Sequence, residues 1–323
     1  MNQVLAAESV APAANGRIQV TEVGMRDGLQ IESRLIPAEQ KIDLLNDMIA
    51  SGISHIEVTS FVSPKAVPQL ADAEQVIGGI RRREDTYLMA LVPNLRAAER
   101  AANTSVDGGV LLCSASETHN RKNLNRGIDE SIAAFGEVAA CLRAAGIEPL
   151  GGLAVVFGCP FEGDVPVRDV LRLAQSYADL GIHHVTLGDT TGMATPVNVR
   201  NVIRTLRGEL PDIDITLHLH NTRGVGLANV LVGLEEGVRR FDASVGGLGG
   251  CPFAAGATGN ICTEDLVYLL QESGYETGID LDKAIAVAHK MERLLEKPLA
   301  GQVMRAGPRL ALHAADAVRT AAG

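Results

Sequence analysis

The feature that most constrains this chain is an alternation repeated eight times: a short apolar run, then a longer stretch with helical spacing. The runs fall at Arg17–Val23, Ser54–Ser60, Tyr87–Val92, Gly108–Leu112, Leu150–Val156, His183–Leu187, Ile213–His220 and Phe241–Val245. Between the first two, Ala38–Ser51 carries Ile42, Leu44, Leu45, Met48 and Ile49 at helical spacing, with Gly52 as a stop. Comparable patterns cover Glu130–Ala145, Val167–Asp179, Pro196–Gly208 and Leu227–Glu236, and the chain reads as helix from Glu264 onward, ending Ala-rich. Strands each followed by a helix are the pattern of a parallel sheet covered by helices. The predicted fold is α/β, a (β/α)8 TIM barrel over residues 17–323 with additional C-terminal helices, behind a disordered tail at 1–16.

The competing arrangement is a doubly wound open sheet. Where the polar residues fall decides for the barrel. Arg26 and Asp27 follow the first strand, Glu57 and Ser60 end the second, and Asp189 follows the sixth. His218 and His220 end the seventh, and a glycine-rich loop follows the eighth. Ligand-type side chains thus gather at C-terminal strand ends, where barrels build active sites. A barrel of about 250 residues with appendages accounts for the length, and no linker or internal repeat marks a second domain.

Lys and Arg number 29 against 39 Asp and Glu, a net charge of −10. That balance lacks the basic footprint of a nucleic-acid-binding surface, so an anionic substrate needs a local arginine or a metal ion. The five cysteines are odd in number and irregularly spaced, which reads as free thiols in a reducing compartment. No apolar run approaches the ~20 residues of a membrane span. The first residues lack a secretory pattern, and a cytoplasmic location is the expectation.

The loop Gly246–Asn260, GGLGGCPFAAGATGN, places Cys251 among residues with almost no bulk. Such a loop can lie against a ligand and bring a thiol to it. The proline after Cys251 restricts the backbone on both sides of that bond. His218-Leu219-His220 is the strongest metal signal, because residues i and i+2 of a strand share a face. Asp27 adds a carboxylate and Asn260 an amide oxygen. One carboxylate, two imidazoles and an amide suit Mg²⁺ or Mn²⁺, with Zn²⁺ as runner-up. Arg26 points at whatever the metal holds, or pairs with Glu22 or Glu57, which are natural orienting carboxylates. Cys159 and Cys262 read as packed thiols, and Arg121, Lys122 and Asn123 as a charged turn or a contact for CoA phosphates.

RDGLQ (26–30), IEVTSFVSPK (56–65), SETHNRKN (116–123), GCPFEG (158–163), LGDTTG (187–192), HLH (218–220) and GLGGCPFAAGATGNICTEDLVYLL (247–270) together resemble the hydroxymethylglutaryl-CoA lyase family of the DRE-TIM metallolyase superfamily. The resemblance implies a barrel enzyme that uses Mg²⁺ or Mn²⁺ to cleave 3-hydroxy-3-methylglutaryl-CoA to acetyl-CoA and acetoacetate. It carries the metal ligands onto Asp27, His218, His220 and Asn260, and the catalytic arginine onto Arg26. The loop cysteine falls on Cys251 and an essential carboxylate on Glu57, with His218 as a further proton donor. Gln30, Ser60 and Asp189 match substrate-side positions, and Glu22 and Glu264 supporting ones. Acyl-CoA is then the partner, nucleic acid and membrane are not, and a homodimer is the commonest assembly.

The sequence also departs from that family. HLHNTRG stands where the family reads H-x-H-D-T-Y-G, so Asn221 and Arg223 are changed. Leu150-Gly151-Gly152 stands for the family's Arg-Gly-Tyr, and a lysine shortly after RDGLQ is missing. Leu150, Gly152, Asn221 and Arg223 are therefore specificity candidates. Three other activities compete: cleavage of a related thioester such as citramalyl-CoA or a longer-branched glutaryl-CoA, condensation of the synthase type, and non-catalytic binding of CoA esters.

Overall fold

The computed structural model describes residues 16–250 and 259–311. The expected tail up to residue 15, Cys251 in its loop and the Ala-rich end at 312–323 lie outside the described residues. Eight parallel strands close into a barrel in chain order. They are β1 Gln19–Glu22, β2 His55–Ser60, β3 Tyr87–Leu91, β4 Gly108–Ser114, β5 Glu148–Ala154, β6 His184–Gly188, β7 Asp214–His218 and β8 Arg240–Ala243. The outer helices are α1 Ala38–Ala50, α2 Ala73–Gly79, α3 Leu95–Ala101, α4 Glu117–Leu124, α5 Ile128–Ala144, α6 Val167–Asp179, α7 Pro196–Glu209 and α8 Gly226–Glu235. Then α9 Thr263–Glu272, α10 Leu281–Leu295 and the short α11 Val303–Ala306 follow. The predicted barrel and its C-terminal helices are borne out.

The local reasons are those of amphipathic elements on a barrel. Helix α6 buries Val170, Leu173, Ala174 and Tyr177, a stripe at helical spacing. Tyr177 passes under β5 and donates to the carbonyls of Leu111 at 2.7 Å and Gly152 at 2.9 Å. Gly151 eases that approach: a Cβ there would crowd the tyrosine ring at 3.1 Å. Alternation along the strand then turns Leu150 and Gly152 inward.

Two local expectations differ from the structure. Residues 117–124 form helix α4, not a turn. Its start is capped by the Ser116 hydroxyl, which accepts from His119 N at 3.2 Å, and its end by Asn125 in the left-handed region. Because this helix buries little but His119 and Asn120, it has no apolar stripe to read. Strand β7 stops at His218, and His220 lies beyond it in an antiparallel bridge with Asn260.

The C-terminal segment braces the loop that follows β8. Helix α10 packs on α1 and on the turn Val245–Gly247. Ala300 N donates to Gly246 O at 3.0 Å, and the Asp265 carboxylate accepts from Gln302 N and Val303 N, at 3.0 and 2.7 Å. Among the described residues no helix is long and apolar enough to cross a membrane, and Cys113, Cys141, Cys159 and Cys262 are free thiols.

Candidate active site

Directly after β1 the chain makes a π-helical turn, Gly24–Gly28, that delivers Arg26 and Asp27 to the C-terminal mouth of the barrel. Arg26 is forked between two carboxylates: Nη2 lies 2.6 Å from Glu57 Oε2 and Nη1 2.9 Å from Asp27 Oδ1. Glu22 is not its partner. Its carboxylate accepts from Gly24 N at 2.7 Å, Val245 N at 3.0 Å and the Thr263 hydroxyl at 2.6 Å, tying the turn after β1 to the stem of the glycine loop. Glu264 accepts from Gly246 N at 3.1 Å and braces the same stem.

Across the mouth, His218 Nε2 lies 3.1 Å from His220 Nε2. Asp27 Oδ2 is 4.0 Å from the first and 3.9 Å from the second. One ligand atom from each of the three residues lies within 4.8 Å of the others. Asn260 donates from Nδ2 to Asp27 Oδ2 at 2.7 Å and to Leu248 O at 2.9 Å. Gly249, with φ +109°, lets the loop pass over this pair, since a Cβ would sit 2.6 Å from Asn260 Nδ2 and 3.0 Å from Asp27 Oδ2.

Burial and charge split the titratable groups. Burial pushes Asp27 up, but Arg26 and the two histidines outweigh it and hold the carboxylate at about 2. Burial dominates at Glu57, which is raised despite its pairing with Arg26. Burial opposes the charge on Arg26, yet Glu57 and Asp27 raise it above the usual guanidinium range. His220 is lowered to about 4 by burial and by His218, whereas His218 is raised because Asp242 and Asp27 overcome its burial. The cluster therefore keeps Asp27 a firm anion between a permanent cation and two imidazoles.

Buried polar groups are normally paired. Here Arg26 Nε, Glu57 Oε1, His220 Nδ1 and Asn260 Oδ1 are buried without a hydrogen-bond partner among the described residues. A carboxylate and two imidazoles converging beside an uncommitted amide oxygen form a donor set that fits a divalent cation of the Mg²⁺ or Mn²⁺ kind.

The cavity around this cluster measures about 140 Å³, close to the roughly 150 Å³ that holds a benzene-sized guest. It suits a compact acyl group. Its β7–β8–β1 side carries Arg26, Asp27, His218, His220 and Asp242; its β3–β5 side carries Met89, Val110, Leu112, Leu150 and Gly152. Toward the floor, His184 Nε2 meets the Thr216 hydroxyl at 2.7 Å. At Gly152 the wall is closed by its neighbours, for a Cβ would stand 3.0 Å from Leu112 Cδ1 and 3.2 Å from Val110 Cγ1.

Of the other candidates, Gln30 and Glu57 also face the cavity, and Gly250 brings the loop to its edge just before Cys251. Ser60 and Asp189 stand behind the wall. The Ser60 hydroxyl accepts from Val62 N at 3.2 Å, and Asp189 accepts from Met193 N at 2.7 Å and Ala194 N at 2.9 Å, with burial raising it to about 7. Arg223 donates to the carbonyls of Thr191 and Gly192, at 3.1 and 2.7 Å, and Asn221 accepts from Gly226 N at 3.1 Å. Both hold backbone and neither lines the cavity. Sequence reasoning missed Asp242, whose Oδ2 lies 3.2 Å from His218 Nδ1. The available signal was an acid between Phe241 and Ala243 in the middle of a buried strand.

A family model described as HMGL-like matches residues 17–291. A hydroxymethylglutaryl-CoA lyase of Bacillus subtilis is 43% identical over 88% of this chain and 95% of its own length. A 3-hydroxy-3-isohexenylglutaryl-CoA/hydroxymethylglutaryl-CoA lyase of Pseudomonas aeruginosa is 40% identical over 87% of this chain and 94% of its own. Among solved structures, an HMG-CoA lyase from Acinetobacter baumannii in complex with coenzyme A and 3-methylmalate superposes with a TM-score of 0.89 at 46% identity, covering 94% of this chain and 99% of that one.

Proposed function

The chain belongs to the HMGL-like family, and from that premise we propose that it is a metal-dependent carbon–carbon lyase cleaving 3-hydroxy-3-methylglutaryl-CoA to acetyl-CoA and acetoacetate. The observation that carries the reading is the meeting of Asp27, His218 and His220 with the Arg26 fork at one end of the barrel.

The reaction removes the proton of the C3 hydroxyl, breaks the C2–C3 bond to leave a ketone at C3, and returns a proton to C2. Asp27, His218 and His220 would hold a divalent cation, Mg²⁺ or Mn²⁺, with Asn260 beside them. When bound, it supplies Lewis-acid polarisation of the substrate's oxygens and orients them. Arg26 is placed to stabilise negative charge on the thioester oxygen as C2 becomes carbanion-like. Glu57 holds the guanidinium through Nη2, so that this charge is aimed before the reaction starts. Cys251, next to Gly250 at the cavity edge, is one candidate to deliver the proton to C2, and the family resemblance adds His218 as another. Glu22 and Glu264 anchor the stem that carries that loop.

The β3–β5 wall, which holds no cation among the described residues, favours a second reading within the same chemistry. A C3 substituent lies there against Val110, Leu112 and Leu150, so a related 3-hydroxy-3-alkyl acyl-CoA, citramalyl-CoA or a longer-branched glutaryl-CoA, is the alternative. A panel assay separates the readings. The enzyme with Mg²⁺ or Mn²⁺ is offered each thioester and acetyl-CoA release is followed. The highest kcat/KM on hydroxymethylglutaryl-CoA is expected; a higher value on a homologue selects the second reading, and no release from any of them contradicts both.

A further inference from the structure

We propose that Asp242 is a positioning residue for the metal site: it fixes the ring proton of His218 on Nδ1 and so keeps Nε2 open toward Asp27 and His220. The inference rests on the metal site of the lyase reading, but not on which thioester is cleaved.

The geometry begins in the sheet. The parallel register of β7 and β8 sets His218 directly beside Asp242, and neighbouring strands lie about 4.8 Å apart. Both side chains face the barrel interior. Phe241 and Ala243, on either side of Asp242, are fully buried on the opposite face, so β8 cannot turn to offer the carboxylate elsewhere. Asp242 Oδ2 lies 3.2 Å from Nδ1 of His218, and that imidazole is its hydrogen-bond partner among the described residues. Burying a carboxylate costs free energy unless it is matched by hydrogen bonds or charge. This one spends its contact on a single ring nitrogen.

A carboxylate only accepts, so Nδ1 carries the proton that faces it. In the neutral ring Nε2 then holds the lone pair, and Nε2 is the atom 3.1 Å from His220 Nε2 and 4.0 Å from Asp27 Oδ2. A ligating histidine whose second nitrogen donates to a carboxylate is held in one tautomer and one ring orientation. The same bond commits the only proton of the neutral ring to Asp242. In that neutral state His218 serves as a ligand through Nε2.

The test uses the full-length protein and two readouts besides turnover. In metal-free, ¹⁵N-histidine-labelled wild type, at a pH high enough that the His218 ring is neutral, it should give a protonated Nδ1 and an unprotonated Nε2. In Asp242→Ala that preference should be lost, and Mn²⁺ binding, followed by electron paramagnetic resonance, should weaken by roughly 10- to 100-fold. Acetyl-CoA release by the variant should recover as Mn²⁺ is raised, which a merely structural defect would not allow. A neutral wild-type His218 ring with its proton on Nε2 instead of Nδ1 overturns the proposal without reference to any variant. So does Mn²⁺ affinity within about twofold of wild type in a folded Asp242→Ala protein. If no thioester is cleaved but the tautomer and Mn²⁺ results hold, the lyase reading fails and this one stands.

Discussion

The two sides of the barrel mouth are built on opposite plans. The β7–β8–β1 side buries Arg26, Asp27, His218, His220 and Asp242 together, and burial and mutual contact raise Arg26 and His218 and lower Asp27 and His220. The β3–β5 side buries Met89, Val110, Leu112 and Leu150 around a glycine, Gly152, and holds no cation among the described residues. One side can polarise a substrate and hold developing charge; the other can only measure its shape. Chemistry and selectivity should therefore respond to different substitutions.

The largest effect is expected on the polar side. His220→Ala should lose cation binding and turnover together. Losing several kcal/mol of Lewis-acid stabilisation amounts to about 10³-fold or more in kcat. Circular dichroism should stay native, and a variant that still binds Mn²⁺ as wild type would remove His220 from the site. Arg26→Gln comes next, with kcat reduced roughly 10²- to 10³-fold, the scale of losing one preorganised donor. Steady-state kinetics should show KM little changed; a raised KM at unchanged kcat would make Arg26 a binding group only.

The opposite wall should give a smaller and different response. Leu150→Ala should raise the kcat/KM ratio of a C3-ethyl over a C3-methyl substrate by about 10-fold, the low end of what one methylene is worth in an apolar pocket. An unchanged ratio would mean that this wall does not meet the substituent. The smallest effect is on stability. Burial raises the Glu264 carboxyl from 4.5 to about 8, so the folded state holds that proton more tightly than the unfolded chain does. Its contribution is complete below 4.5 and is lost as pH rises through about 8. Thermal melts should show Tm falling across that window in wild type and a flatter profile in Glu264→Gln, while Leu150→Ala keeps the wild-type slope. A Glu264→Gln profile that still falls as steeply would place the titration elsewhere.

The same contrast explains what the sequence discloses. Strands buried on both faces and helices with one apolar stripe advertise their period, so the eight-fold alternation and helix α6, Val167–Asp179, were readable in advance. Helix α4 was not, because caps at Ser116 and Asn125 hold it while few of its residues are buried. Arg26, Asp27 and the H-x-H pair stand out because charged residues at strand ends are unusual company. Asp242 does not, since its meaning depends on the register between β7 and β8, which one strand cannot show. Asn221 and Arg223 depart from the family's H-x-H-D-T-Y-G pattern, yet their side chains hold the backbone at Gly226 and at Thr191 and Gly192. A changed residue near a site in sequence need not face it in space.

One divalent cation, held by Asp27, His218 and His220, is the centre of the proposed chemistry. The most direct measurement is a Mn²⁺ titration of chelator-treated enzyme, with bound metal and acetyl-CoA release recorded on the same samples. One Mn²⁺ per chain, with activity rising in proportion to occupancy from a negligible baseline, is the predicted result. Full activity in the stripped enzyme, or metal bound equally well after His220→Ala, would contradict it.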